Sequence, residues 1–349
     1  MDATAALNEI AFWLERERAT TFKVQAFRKA ADVIAGLSPE EVAARRRDGR
    51  LKGMKGIGER TFEVIAQAVD GGIPDYLAGL RERGAVPLVE GGRELLACLR
   101  GDLHVHSNWS DGGSSIESMV EAARTLGREY VALTDHSPTL KIANGLSAER
   151  LSEQLDLLAG IEAAQNETAG TDAGRPEVRL LAGIEVDILE DGKLDQTPEL
   201  LDRLDVVVAS VHSKLRSDSR TMTRRMLGGI EDPHTRVLGH CTGRLLNGSR
   251  GTRPPSEFDA KRVFAACAER GVAVEINARP ERQDPPDELI QTALDAGCLF
   301  SIDSDAHAPG QLDFLQYGAE RAARNGVPPE RIITTWPVDR LLEWTGGRK

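Results

Sequence analysis

Two periodicities divide the chain. In the first eighty or so residues apolar side chains recur every three to four positions, as in "AALNEIAFWLERERA" (5–19) and "FKVQAFRKAADVIAGL" (22–37), before Gly36 and Pro39 break the pattern. "SPEEVAARRRDG" then opens on a Ser cap followed by Pro at the first helical position, the start of another helix. Beyond residue 100 the pattern becomes short apolar runs: "DLHVHS", "YVALTDHS", "VRLLAGIEVDI", "DVVVASVHS", "RVLGH", "VAVEINA" and "LFSIDSDAH". Helical stretches at 115–126, 147–165, 256–270 and 286–296 separate most of them. Strands alternating with helices predict a parallel α/β sheet. Seven units in roughly 240 residues fit a TIM-like barrel one unit short, although an open doubly wound sheet has the same periodicity. "GAVPLVEGGRELLACLRG" (84–101), with its Pro and paired Gly, reads as a linker carrying a short helix. The expected organisation is a small all-α domain over 1–83, a linker over 84–100 and the barrel over 101–349.

Composition narrows the class. With 40% hydrophobic and 28% charged residues in 349, the core needs no disulfide to hold it. Cys98, Cys241, Cys267 and Cys298 are scattered without a CxxC pair, which fits a reducing compartment and argues against a thiolate zinc knuckle. No apolar run is long enough for a bilayer, and the first residues carry acids where a signal peptide would be basic. A cytoplasmic protein without a membrane partner is expected. The net charge of −11 is uneven: residues 1–100 hold 16 Lys+Arg against 15 Asp+Glu, leaving 28 against 40 in the rest. The acid excess belongs to the barrel, where it can bind cations or simply solvate the surface.

In "LKGMKGIGERTFEVIAQAVDGG", Gly56-Ile57-Gly58 makes a tight hairpin into a helix starting near Glu59. Backbone N–H groups pointing outward at a positive helix terminus suit a phosphate, and Lys52, Lys55 and Arg60 flank it. A lone Gly-x-Gly often only joins helices. Its basic flank and helical neighbourhood favour Lys52, Lys55, Gly56, Gly58 and Arg60 as a phosphate-backbone site.

The barrel strands carry the chemistry. His104 and His106 alternate along one strand and so aim two imidazoles at one point. His136 ends the second strand, Glu185 lies late in the third, and His212 and His240 end the fourth and fifth. Asp305 and His307 close the seventh. Six of seven histidines therefore occupy the strand C-termini, the rim where α/β barrels hold their active sites. His234, in "EDPHTRV", is the exception and reads as structural. Imidazoles and carboxylates without thiolates suit zinc, manganese or iron, and their number exceeds what one ion uses, so two or three divalent ions are expected. Such clusters favour phosphoester hydrolysis. Metal barrels that cleave amides or lactones recruit a bridging lysine, which is not identifiable here.

The motifs "DLHVHS…SDG", "TDH", "GIEVDI", "ASVHS", "LGH" and "DSDAH" resemble those of the polymerase and histidinol phosphatase (PHP) superfamily across 101–345. "HSNWSDG", "MTRRML", "LGHCTGRLL", "EINARPER" and "DAHAPGQLDFLQYG" are most similar to the C-terminal domain of bacterial family-X DNA polymerases. Residues 5–83 resemble their N-terminal helix-hairpin-helix module. This resemblance implies a distorted (β/α)7 barrel with three metals and nine ligands: His104, His106, Asp111, His136, Glu185, His212, His240, Asp305 and His307. Asp111 enters only by resemblance, since Ser-Asp-Gly after a strand is ordinarily a turn. By the same analogy His104, His106, Glu185 and Asp305 hold one ion and form the catalytic set. Asp111, His136 and His307 hold a second, and Glu185 bridges to a third with His212 and His240.

Two departures matter. Only the linker lies where those polymerases carry a nucleotidyl-transfer palm, so templated synthesis is not expected. Val64 stands where lyase-active relatives use a lysine, with Arg60 one turn earlier. The hairpin favours DNA over a metabolite, giving a 3′–5′ exonuclease or 3′-end-cleaning phosphodiesterase in repair. The alternatives are a histidinol-phosphate-type phosphatase and a DNA-binding scaffold with an inactive barrel. Trp109 could stack on a terminal base, and Lys214, Arg244 and Arg282 could orient a phosphate. Asn277 and Asp303 are expected behind the ligands.

Overall fold

The computed structural model describes residues 1–168, 177–248 and 251–346. These form two compact units, Met1–Pro87 and Leu88–Lys349.

The first unit is helical: α1 (Ala3–Arg16), α2 (Thr21–Ala35), α3 (Pro39–Arg47), α4 (Glu59–Val69) and α5 (Asp75–Gly84). Leu7, Ile10 and Leu14 recur along one face of α1 and are fully buried with Phe27, Ile34, Ile65, Leu77 and Leu80. Local signals set the helix ends. Asp2 accepts from the N–H of Ala5 (2.7 Å), and Ser38 and Glu41 close a capping box at α3. Gly56 has φ +104°, and a Cβ there would press on the Val33 and Lys29 side chains of α2, so only glycine lets the hairpin sit so close.

The second unit begins with α6 (Arg93–Cys98), which packs on α13 (Leu315–Arg324). Seven strands follow: β1 (Gly101–Val105), β2 (Tyr130–Leu133), β3 (Arg179–Asp187), β4 (Val206–Ser210), β5 (Val237–Leu238), β6 (Ala273–Asn277) and β7 (Phe300–Asp303). Between them run α7 (Ile116–Thr125), α8 (Ala148–Thr168), α9 (Pro198–Leu201), α10 (Ser219–Glu231), α11 (Ala260–Arg270) and α12 (Asp287–Asp295), with α14 (Val338–Thr345) last. All pairings are parallel in the order β1 to β7, and a bridge from Val105 to Ala306 brings the end of β7 back beside β1. The result is the nearly closed seven-stranded barrel the alternation predicted, rather than an open sheet. α10 was not among the predicted helices, although Met222, Met226 and Ile230 mark its buried face at helical spacing.

The two ends of the barrel differ chemically. At the end where the strands start, Leu103, Tyr130, Val206, Val237, Ile333, Trp336 and Leu341 form an apolar plug. The Tyr130 hydroxyl is satisfied by donating to the Trp336 carbonyl (3.0 Å). Gly101 is required there because a Cβ would enter the Tyr130 ring. The opposite end is lined by histidines and acids. Among the described residues no helix is long and apolar enough to cross a membrane.

Candidate metal centre

Strand geometry brings the rim residues together. His104 and His106 share a face of β1 and its extension, with ring centroids 5.1 Å apart. Glu185, late in β3, is central. One carboxylate oxygen lies 3.3 Å from His104 Nε2, 3.6 Å from His106 Nε2 and 2.8 Å from His136 Nδ1. The other lies 3.1 Å from His212 Nε2 and 2.8 Å from His240 Nε2. Asp111 reaches His136 (3.4 Å) and His307 (3.2 Å), while Asp305 reaches His106 and His307 at 3.5 Å each. The donors fall into four overlapping groups, each with its ligand atoms within 4.8 Å of one another: His106/Asp111/His136/His307, His104/His106/Asp305, His104/Glu185/His240 and His136/Glu185/His212. This differs from the partition the resemblance implied. His106 also joins the Asp111 group, and His212 and His240 fall in separate groups with Glu185, the first with His136 and the second with His104.

Divalent ions fit this donor set. Among the described residues, ten buried atoms of this donor set have no hydrogen-bond partner: His104 Nε2, both nitrogens of His106 and of His212, Asp111 Oδ1, His136 Nδ1, both oxygens of Glu185, and His240 Nδ1. Leaving so many polar atoms buried and unsatisfied is costly unless something else meets their lone pairs. Their close approaches lack hydrogen-bond alignment, as expected of donors converging on common points. All are nitrogen or oxygen, suiting zinc, manganese or iron rather than a soft thiolate-bound ion.

Electrostatics agree. Burial opposes ionisation of Glu185, yet the imidazoles of His212, His104 and His136 outweigh it and hold its carboxyl well below the usual range. Burial likewise opposes charge on His136, but Glu185 and Asp111 push its pKa up to about 10. His104 is raised in the same way by Glu185 and Glu275. His106 is depressed by burial and by its neighbours His307 and His136, which keeps a lone pair free. The centre attracts positive charge, which protons or metal ions can supply.

Four acids or amides hold the ligands in place, and only one of them was expected. Glu275 accepts from His104 Nδ1 (2.6 Å), leaving Nε2 directed at Glu185. Asn277, the expected one, donates to Asp305 (3.0 Å) and Glu275 (3.2 Å). Asp135 is fully buried and accepts from the N–H and hydroxyl of Ser107 (2.9 and 2.7 Å), from the Ser110 hydroxyl and from Gln154, fixing the loop that presents Asp111. Asp187 accepts the backbone N–H of His212 (3.2 Å), with the ring Nδ1 3.8 Å away. Asp305 itself has φ +52°, a strained backbone for a residue with a Cβ. Glu275 had a readable signal, an acid inside the apolar run "VAVEINA", where burial demands a partner.

Other expectations need correcting. Asp303 touches no ligand imidazole. It accepts the N–H of Leu103 (2.8 Å), and burial beside Asp102 raises its pKa well above the carboxylate range. Arg244 does not face the centre, because its guanidinium donates to the backbone carbonyls of Arg282 and Gln283. Arg282 is buried and donates to Asp305 (3.1 Å). Arg279, which the sequence reading missed, is the better-placed cation: it donates to Asp305 (3.4 Å) and His307 (3.2 Å) and keeps 21% of its side chain exposed. Lys214 is exposed two residues beyond His212, and Trp109 is half-buried with its carbonyl held by Asn144 (3.2 Å) and Arg150. His234 bridges Asp232 (2.8 Å) and Asp202 (3.3 Å), as its structural reading anticipated.

In the first unit, the expected outward N–H groups of the hairpin are in part engaged internally. Ile57 donates to the Met54 carbonyl (3.0 Å) and Gly58 to the Thr61 hydroxyl (2.9 Å). Lys52 lies over the Phe62 ring, Arg60 over Tyr76 while pairing with Glu63, and Lys55 is exposed.

Comparison with known proteins adds the following. The PHP domain family matches residues 102–279, and a helix-hairpin-helix domain family matches residues 1–73. The DNA polymerase/3′-5′ exonuclease PolX of Bacillus subtilis is 35% identical over 270 residues, covering 75% of this chain. The chain spans only 44% of that relative's length. The probable phosphatase YcdX of Escherichia coli is 25% identical over 71% of this chain and 94% of its own. Among solved structures, a histidinol phosphate phosphatase of Lactococcus lactis, complexed with zinc, L-histidinol and phosphate, aligns with a TM-score of 0.43. It is 16% identical over 71% of this chain and 94% of its own.

Proposed function

The chain belongs to the PHP domain family, and from that premise we propose that this hydrolase cleaves phosphodiesters at the 3′ ends of DNA. The observation that carries this reading is the convergence of nine histidines and acids, Glu185 among them, in a chain that also has a helix-hairpin-helix domain. A small phosphate ester does not need a second unit with exposed cations beside a Gly-x-Gly turn.

His106, Asp111, His136 and His307 would hold one ion, His104, His106 and Asp305 a second, and Glu185 with His212 and His240 would complete the set. Bound divalent ions lower the pKa of a shared water and offset charge on phosphoryl oxygens. The protein's own groups do the rest. Glu275 sets the His104 tautomer, so that Nε2 carries the free lone pair. Arg282 and Asn277 orient Asp305 from behind. Arg279, partly open to solvent, would bind a phosphoryl oxygen by charge-assisted hydrogen bonds, and Lys214, exposed two residues beyond His212, would add a second cation. Trp109, two residues from Asp111, offers an aromatic surface for the terminal base.

A 3′-labelled and a 5′-labelled single-stranded oligonucleotide, incubated with the protein and Mn²⁺, test the reading. Progressive shortening from the 3′ end is expected, and an intact oligonucleotide together with phosphate release from histidinol phosphate would overturn it. That second outcome is the alternative reading, favoured by the YcdX likeness, which covers nearly all of that phosphatase. The segment between α5 and β1 holds one six-residue helix, α6, so nucleotide incorporation is not expected.

A further inference from the structure

Past His212 the chain leaves the barrel rim in a run of cations. Lys214, Arg216, Arg220 and Arg224 are all exposed, and among the described residues none of them meets a carboxylate. Their placement is held by the fold. Lys214 sits at φ +52°, where Ser217 donates its N–H (2.9 Å) and its hydroxyl (2.8 Å) to the Lys214 carbonyl. The Leu215 carbonyl accepts from Ser256 (2.8 Å), and α10 starts on Asp218, which accepts from the N–H of Thr221 (3.0 Å). Because α10 buries Met222, Met226 and Ile230, Arg220 and Arg224 project together from its far side.

Charge makes this segment unusual. Residues 101–349 carry 28 Lys+Arg against 40 Asp+Glu, yet between His212 and Ile230 the one acid is Asp218, already engaged as a helix cap. Four exposed cations within eleven residues of the chain after His212, in an otherwise acidic unit, form a local field for a polyanion. A membrane surface is a poor match, because none of the exposed large hydrophobic residues lies in this segment. A nucleic-acid strand fits better. The rise between Arg220 and Arg224 is about 6 Å along the helix, so both guanidinium groups can engage phosphates of one strand.

We propose that Lys214, Arg216, Arg220 and Arg224 form a track that holds the phosphodiester backbone of the strand whose end enters the centre beside His212. The track rests on the reading of a nucleic-acid substrate given above and makes the barrel unit itself a reader of polymer length.

The test compares the full-length protein with Arg220→Glu/Arg224→Glu and Arg220→Lys/Arg224→Lys. Kinetics are measured with Mn²⁺ on a labelled 20-nucleotide single strand and on p-nitrophenyl phosphate, and binding of the same strand by fluorescence anisotropy from about 50 to 200 mM salt. Charge reversal should raise the KM for the oligonucleotide on the order of tenfold and flatten the dependence of log affinity on log salt by about 1.4 for two lost contacts. The lysine variant should behave as the parent. Unchanged turnover of p-nitrophenyl phosphate would report an intact centre and fold. An oligonucleotide KM and salt slope equal to those of the parent would overturn the track. If the parent cleaves only the small ester, the substrate reading fails. The anisotropy arm then decides the track separately, by whether reversal weakens binding.

Discussion

The two units solve opposite problems with the same chain. In the helical unit the interior is apolar, from Leu7 and Ile10 to Leu77 and Leu80, and many of its charges pair near the surface, as Arg81 does with Glu9 (2.6 Å) and Arg46 with Asp70. In the barrel one end is equally apolar, while the other buries Glu185, Glu275 and Asp305 among histidines. A core of the first kind stabilises by removing area from water. A core of the second kind is destabilising on its own and is explained by what it can bind. Polar groups gathered at such density mark chemistry, whereas apolar density marks only folding.

That contrast can be broken most severely at Glu185. Glu185→Ala should lower hydrolysis of any phosphoester by at least about 10³-fold, because it removes the carboxylate facing five imidazoles, and should lower the metal content measured by elemental analysis. Retention of full metal stoichiometry and activity would remove Glu185 from the centre. In the helical unit, Ile10→Ala should cost about 2–5 kcal/mol in denaturant unfolding of that unit. It should leave p-nitrophenyl phosphate hydrolysis unchanged, so a matching loss of activity would contradict the separation between the units.

A subtler change lies behind the ligands. Glu275→Gln keeps the shape beside His104 but removes the charge, and metal affinity, read by competition with a chromogenic chelator, should fall about 10- to 100-fold. An affinity equal to that of the parent would leave Glu275 no role in orienting His104. The acidity of the centre gives a fourth expectation. In the ion-free protein His136, at about 10, and His104, also raised, carry protons at neutral pH that an incoming ion must displace. Ion uptake should therefore release protons, and affinity should weaken about tenfold per pH unit on acidification for each proton displaced. Calorimetry in two buffers of different ionisation enthalpy would show no difference in heat if this were wrong.

The smallest effect belongs to the surface of the helical unit. The hydrogen bonds from Arg81 hold Glu9 below the usual carboxyl range against the effect of burial. A depressed folded value means that the pair's stabilisation is present above the unfolded pKa and is lost as pH falls through the folded one. Since both side chains are partly exposed, Glu9→Gln should cost no more than about 1 kcal/mol at pH 7 and nothing once the carboxyl is protonated in both states. A loss of equal size at both pH values would mean that charge is not what joins them.

Much of this was legible from residue order. Alternation placed His104 and His106 on one face, and the strand ends at His136, His212 and His240 followed from apolar runs that stop at a polar residue. Asp111 was not legible in that way, since its loop is shaped by Asp135 and Gln154 far along the chain and only family likeness pointed to it. Arg244 and Arg279 show the converse. Both follow strand ends and read alike in sequence, yet backbone carbonyls occupy one guanidinium while Asp305 and His307 receive the other.

Local order, then, determined the elements, the barrel class and the identity of most donors, because helix and strand periods and metal preferences are properties of neighbouring residues. Which donors share a point, which arginine reaches them and which acid stands behind each histidine were decided only when β7 came back beside β1. Those choices depend on distances across the barrel, and no spacing along the chain encodes them.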